Sequence, residues 1–243
     1  MSLFVGTSGF AYKEWKPEFY PADIPQKGFL EHYARTLTAC EINATFYRLQ
    51  SEQTFGKWAS QTPQSFRFSL KAHRGLTHGK SIAPGPESRG LLDTFLKGAA
   101  VLGPQLGIVL FQFPPYRRRE DDDLDALIDA LPAGIRVAFE FRHESWESPE
   151  VVEHIAERGG TVCISETKGE APPALPPGPH AYIRLRTDRY SAETRAAWLA
   201  LLQSEAASRD VFCFAKHEGI PAGDPFGGVG LAAWLCERVA EGP

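Results

Sequence analysis

Short runs of alternating apolar and polar residues recur along the chain, separated by stretches with helical spacing. Residues 3–6 read as a first strand, followed by a loop rich in aromatics (Tyr12, Trp15, Phe19, Tyr20). Residues 29–37 have the three-and-four spacing of a helix. Residues 40–47 alternate strictly. Cys40, Ile42, Ala44 and Phe46 fall on one face, and Glu41, Asn43, Thr45 and Tyr47 on the other, which predicts a second strand. A helix is expected over 51–61, with Ser51 as its N-cap. Residues 66–73 alternate again, with Arg67, Ser69, Lys71 and His73 on the polar face. A helix over 87–102 follows the breaker 83–86, and residues 106–113 form a nearly all-apolar strand. The helix expected over 121–131 has acids in its first turn, where the helix dipole favours them.

The fifth strand is the most informative. From Val137, apolar residues alternate with Ala138, Glu140 and Arg142, and the run exits through His143, Glu144, Ser145 and Trp146. A carboxylate and a guanidinium two residues apart on one face are costly to bury unless each is paired. This places the pair at a strand end that opens into a site. A helix over 148–158 follows, with Ser148 as cap and Pro149 at its first position. Strands are expected at 161–165, 181–186 and 211–216, and helices at 192–207 and 231–239. Residues 167–179 are too proline-rich for a helix. Eight strands alternating with helices imply parallel pairing through crossovers. The pattern predicts an α/β fold. It is a single (β/α)8 TIM-like barrel over residues 1–243, with a Pro-rich loop replacing the helix between strands six and seven. A doubly wound open sheet competes less well, because no Gly-x-Gly-x-x-Gly turn follows the first strand.

Composition narrows the function classes. The chain of 243 residues is 43% hydrophobic, ample for a large core, and its net charge of -4 argues against a generally basic, nucleic-acid-coating protein. Cys40, Cys163, Cys213 and Cys236 form no Cys-x-x-Cys pair and read as small buried hydrophobes of a reducing, cytoplasmic protein. No leader-like or membrane-length apolar run is present, so no membrane partner is expected. The run 117–123 carries both signs and reads as a solvated charged turn.

In a barrel, chemistry sits at the C-terminal ends of the strands. With the apolar faces turned to the helices, the residues near those ends are Ser8, Asn43, Tyr47, Lys71, His73, Gln112, Glu140, Arg142, Glu166, Arg184, Arg186 and Lys216, with Glu41 deeper. His143 and His217 stand just beyond two ends. Cations outnumber carboxylates here, in an otherwise acidic chain. Arginine forks suit phosphate or carboxylate. The expected partner is an anionic small molecule, held by Asn43, Tyr47, His73, Gln112, Arg142, Arg184, Arg186, Lys216 and His217. Glu140 is the candidate acid/base, assisted by His143 or Lys71. No cofactor and no metal are expected. The competing structural reading makes Glu140, Arg142, Lys71 and Glu41 a closed ion-pair network that fills the barrel.

Other chemistries fit less well. Gly6-Thr7-Ser8-Gly9 is displaced from a Gly-x-Ser-x-Gly elbow. His73, Glu140, Glu166, His143 and His217 could in principle bind a metal for a metal-assisted phosphodiesterase, but no HExxH spacing supports it and nearby cations oppose it. Glu140 and Glu166 could be glycosidase carboxylates, but their cationic neighbours would depress the pKa of the acid. Aromatics near the mouth (Tyr12, Trp15, Tyr47, Trp146) could stack on a base, which leaves a non-catalytic nucleotide- or nucleic-acid-binding barrel as the alternative.

Several segments together resemble the domain of unknown function 72 (YecE-like) family. They are Val5 to Tyr12 with Trp15 and Phe19-Tyr20-Pro21, Glu41 to Arg48, Lys71 with Leu76-Thr77-His78, Leu110 to Pro115, Phe139 to His143 with Ser145-Trp146, and Tyr182-Ile183-Arg184. The resemblance covers nearly the whole chain. It implies a TIM-like barrel in a bacterial-type cytosolic protein and implies no established activity. The last strand departs from the commonest family pattern. Many relatives look like Phe-Asn-Asn there, whereas this chain has Phe214-Ala215-Lys216-His217-Glu218.

Overall fold

The computed structural model describes residues 2–241. Among the described residues nine strands form one sheet, and every neighbouring pair is parallel: β1 (Leu3–Ser8), β2 (Ala39–Ile42), β3 (Arg67–Lys71), β4 (Leu106–Gln112), β5 (Val137–Glu140), β6 (Thr161–Val162), β7 (Ile164–Glu166), β8 (His180–Leu185) and β9 (Asp210–Ala215). Their order around the sheet is β6-β5-β4-β3-β2-β1-β9-β8-β7. The two edge strands, β6 and β7, are therefore consecutive in the chain, separated by Cys163 alone. The expected sixth strand is present but split. Its first half pairs with β5, Cys163 N–H donates to Phe139 O at 2.8 Å, and its second half pairs with β8. The chain changes partner within one strand, and that change brings the sheet round into a nearly closed TIM-like barrel.

The helices are α1 (Phe29–Thr36), α2 (Ala44–Tyr47), α3 (Glu52–Ser60), α4 (Arg74–Thr77), α5 (Pro86–Ala100), α6 (Asp121–Asp129), α7 (Pro149–Glu157), α8 (Ala192–Ala206) and α9 (Gly228–Ala240). Ser51 caps α3 by accepting from Thr54 N–H at 3.1 Å, as its position predicts. Ser148 makes no such bond at α7; its hydroxyl goes instead to Glu150, 3.2 Å away. Residues 167–179 contain no helix, in keeping with their prolines.

Two strand assignments are corrected. The second strand ends at Ile42, and the residues expected to continue it turn into α2. The Thr45 hydroxyl donates to Ile42 O at 2.8 Å and to Lys71 O at 2.7 Å, taking up acceptors at the ends of β2 and β3. Strand propensity yields here to tertiary bonding. The third strand ends at Lys71, and His73 caps α4 through its Nδ1, which accepts from Gly75 N–H at 3.1 Å.

Apolar residues line both faces of the strands. The outward set packs under the helices, while Phe4, Ala39, Ile108, Leu110, Ala138, Cys163, Tyr182, Phe212 and Phe214 form a separate buried cluster inside the barrel. Phe4 and Phe212 stack there at 4.8 Å. The lower rim is closed by Arg136, which pairs with Asp210 at 3.0 Å. Charged residues gather at the C-terminal ends of the strands, where Glu41, Glu140 and Arg184 are buried. Gly6 lets β1 and β2 approach: a Cβ there would lie 1.8 Å from Ala39 O. Tyr33 of α1 uses this gap, accepting from Thr7 N–H at 2.8 Å and donating to Ala39 O at 2.9 Å.

Candidate functional site at the C-terminal end of the barrel

Strand parity brings Ser8, Glu41, Gln112, Glu140 and Arg184 into one buried layer at the top of the barrel. Arg184 is its hub. Its Nη1 donates to Gln112 Oε1 at 3.0 Å and to Glu140 Oε2 at 2.6 Å, and its Nη2 donates to Glu41 Oε1 at 2.9 Å. Its Nε is buried without a partner. Glu41 is fully buried and over-bonded for a reason: a lone carboxylate at that depth would not stay charged. Ser8 Oγ donates to its Oε1 at 2.6 Å, Tyr182 Oη to its Oε2 at 2.8 Å, and Arg186 Nη2 lies 3.4 Å from Oε1. Burial works to raise its pKa, but Arg184 and Arg186 overcome that and hold it at about 2. Burial and the Glu41 charge together push the Tyr182 hydroxyl well up, so it stays a neutral donor.

Glu140 lies one step nearer the opening. Its second oxygen, Oε1, accepts from Arg142 Nε at 3.1 Å, and the Arg142 side chain is 45% exposed. Arg186 bridges back to Ser8 Oγ at 2.8 Å. A network of carboxylates and cations does form, but it differs from the expected one: it runs Glu41–Arg184–Glu140–Arg142, with Arg186 on the Glu41 side, and it leaves Lys71 out.

Lys71 is the member left over. It ends β3 with inward parity, between the outward-packed Leu70 and Ala72. Among the described residues, no carboxylate pairs with its ammonium. Nζ lies instead 4.0 Å from the centre of the Phe46 ring. Burial, followed by the Arg184 charge, lowers its pKa to about 8, against the pull of Glu41 and Glu140. Asn43, at the end of β2 beside it, has a buried Oδ1 with no partner. Around this point four cations (Lys71, Arg142, Arg184 and Arg186) face two carboxylates (Glu41 and Glu140).

The other predicted residues lie outside this layer. Tyr47 is 70% exposed, because α2 turns it away from the barrel. His73 and His143 each spend Nδ1 on a cap bond, to Gly75 N–H and Ser145 N–H respectively, both at 3.1 Å. Burial lowers the His73 pKa. Lys216 bonds Asp188, and His217 stacks on Tyr12 at 4.0 Å, its pKa lowered chiefly by burial. Glu166 points into the loop that follows it, accepting from Gly169 N–H and from the Tyr190 hydroxyl. Among the described residues no group of three or more His, Cys, Asp or Glu side chains is placed to hold a metal ion.

Three further placements differ from expectation or add to it. Trp15 and Trp146 are buried: Trp146 stacks on Phe141 at 4.2 Å and donates Nε1–H to Arg117 O at 2.9 Å. The charged run 117–123 is not wholly solvated, because Arg117 is buried and donates to Lys80 O at 2.8 Å. Tyr182 is a further residue of the layer, and its alternation with Arg184 and Arg186 places it on their face.

The fold and site together define a parallel β/α barrel whose polar, charged layer caps the C-terminal ends of its strands. The chain belongs to the family described as protein of unknown function DUF72, whose model matches residues 4–224. It is similar to the UPF0759 protein YunF of Bacillus subtilis, 28% identical over 152 residues that cover 60% of this chain and 53% of the relative. It is also similar to the UPF0759 protein YecE of Escherichia coli K12, 29% identical over 131 residues that cover 54% of this chain and 47% of the relative. The chain thus spans about half the length of the curated relatives it matches. A solved DUF72 family protein of Thermotoga maritima superimposes with a TM-score of 0.76 at 22% identity, covering 99% of this chain and 100% of that one. A DUF72 family protein of Enterococcus faecalis gives 0.71 at 16% identity, covering 98% and 97%. These two likenesses show the fold. Among the described residues no helix is long and apolar enough to cross a membrane.

Proposed function

We propose that the chain is an enzyme acting on a phosphorylated or otherwise anionic small molecule at the C-terminal face of the barrel. The observation that carries this reading is the cationic excess around Lys71, whose half-buried ammonium pairs with no carboxylate among the described residues. An anion is the complement such a site lacks. Arg184 is spent inside the protein, so the contacts to ligand fall to Lys71, to the terminal nitrogens of Arg142 and to Arg186, with Asn43 as a polar neighbour. Glu140 is the acid/base candidate, because it joins the buried hub to the exposed Arg142.

A thermal-shift panel tests this. Phosphorylated metabolites, nucleotides, short oligonucleotides and neutral sugars are each added with and without divalent metal. A ligand at about 100 times its dissociation constant adds roughly 2.7 kcal/mol, a readable shift. Stabilisation by small phosphorylated compounds without metal, lost in Arg142→Met, is the expected result. Stabilisation by oligonucleotides alone would indicate the nucleic-acid-binding barrel, and dependence on metal the phosphodiesterase. Neutral sugars alone would show the cations to be internal structure.

A further inference from the structure

We infer that Lys71 is a carbonyl-trapping nucleophile, and that the substrate is an aldehyde or ketone bearing an anionic group, a 2-oxo acid or a phosphorylated ketone or aldehyde. The inference rests on the anionic-ligand reading and adds to it the functional group that reacts. Four observations converge on Nζ. It stands at the C-terminal end of a barrel strand, where side chains can reach substrate. It pairs with no carboxylate among the described residues, so no ion pair has to be broken to free it. The Phe46 ring packs against it at 4.0 Å and excludes water from that side, although its face attracts the ammonium. The positive groups Arg184 and Arg142 lie close enough to disfavour its charge. Desolvation beside another cation is how an amine is made nucleophilic near neutral pH. A lysine serving as a fixed anion clamp has no need of either condition.

The chemistry balances without a co-reactant. The neutral amine attacks the carbonyl carbon, and the carbonyl oxygen takes up a proton to give a carbinolamine. That hydroxyl then leaves as water with a second proton, and the nitrogen lone pair forms the C=N bond. An ammonium and a carbonyl thus give an iminium and one water, with no net proton gained or lost. Glu140, held between Arg184 and the half-exposed Arg142 and close enough for its charge to act on Lys71, is the group assigned to accept and return those protons. The terminal nitrogens of Arg142 and Arg186 take the anionic end of the same molecule.

The test is reductive trapping on the full chain. Pyruvate or dihydroxyacetone phosphate is added with sodium borohydride, which reduces an iminium to a stable secondary amine, and adducts are mapped by peptide mass spectrometry. Lactate and glycerol 3-phosphate, which carry the same charges without the carbonyl, are run in parallel by thermal shift. At pH 7.5 the neutral fraction of Lys71 exceeds that of an ordinary lysine by about two-hundredfold, so labelling at least about tenfold above the exposed Lys57 and Lys97 is expected. Lys71→Arg should lose the adduct and keep the shift with glycerol 3-phosphate. Labelling of Lys71 no greater than of Lys57 and Lys97 with both carbonyl probes overturns the inference. In that event a shift with lactate or glycerol 3-phosphate leaves the anionic-ligand reading standing. Trapping at Lys71 with no shift from either anion would overturn that reading and keep the nucleophile.

Discussion

Replacing Arg184 with methionine removes the hub of the polar layer while keeping most of its volume. Three acceptors lose a donor: Glu41 Oε1 at 2.9 Å, which keeps Ser8 and Arg186, Glu140 Oε2 at 2.6 Å and Gln112 Oε1 at 3.0 Å. Both carboxylates are almost wholly buried. At an effective dielectric of about 20, a charge pair near 3 Å attracts by about 5 kcal/mol. Removing one partner of a buried pair costs roughly 3–5 kcal/mol, because the other charge is left uncompensated. For a chain of this size that is a Tm lower by roughly 10 °C. The pH dependence carries the sign of the mechanism. In the native protein Glu41 titrates at about 2, below its unfolded value of 4.5, so its stabilisation is complete at pH 5 and above. In the variant, burial without Arg184 lifts the folded Glu41 pKa, and a raised carboxyl stabilises the fold as it takes up its proton. The deficit should therefore be largest at pH 7 and shrink towards pH 5 in urea titrations. A second substitution, Glu41→Gln, should cost less in the variant than in the parent, by about 1–3 kcal/mol of coupling. A deficit below about 1 kcal/mol, or one identical at pH 5 and 7, would show that Arg184 is not what keeps Glu41 charged.

Acid should expose the same network in the native protein. Glu41 contributes on the order of 3 kcal/mol above pH 4.5, lost as pH falls through about 2, and Glu41→Gln should flatten that acid limb in circular dichroism titrations. Lys71 has the opposite sign. Its folded pKa of about 8 lies below the usual 10.5, so its charge destabilises the fold below pH 8, and the penalty fades towards pH 10.5. Lys71→Met should accordingly raise stability at pH 7 by roughly 1–2 kcal/mol, allowing for solvent screening, and by nothing at pH 10.5. Affinity for glycerol 3-phosphate, which has no carbonyl for the amine to trap, should weaken as pH rises through 8, as the Lys71 ammonium is lost, when measured by titration calorimetry. Gly6→Ala should cost roughly 4 kcal/mol or more, because its methyl meets the Ala39 carbonyl at 1.8 Å; a Tm near that of the parent would refute this close approach.

Much of the architecture follows from local pattern. Alternation of period two and helical spacing mark most strands and most helices, and repeated β/α units with parallel crossovers leave few topologies besides a barrel. The same alternation puts Glu140, Arg184, Gln112 and Lys71 on one face, since a strand turns successive side chains to opposite sides whatever surrounds it. Parity also pointed to Tyr182, but its apolar ring masked it. Parity fails where the chain leaves the sheet. Asn43 and Tyr47 alternate as a strand would, yet Thr45 bonds to Lys71 O and turns the segment into α2, sending Tyr47 to solvent. The apparent sixth strand changes partner at Cys163, a choice made by the closure of the sheet. Above all, sequence supplies an inventory of charges but not their pairing. Whether Arg184 grips a ligand or two glutamates, and whether Lys71 has a partner, depends on distances between strands that are far apart in the chain. At the strand ends of a closed barrel those distances are a few ångströms, and because burial removes the water that would otherwise satisfy each charge, that proximity decides which group remains free to react.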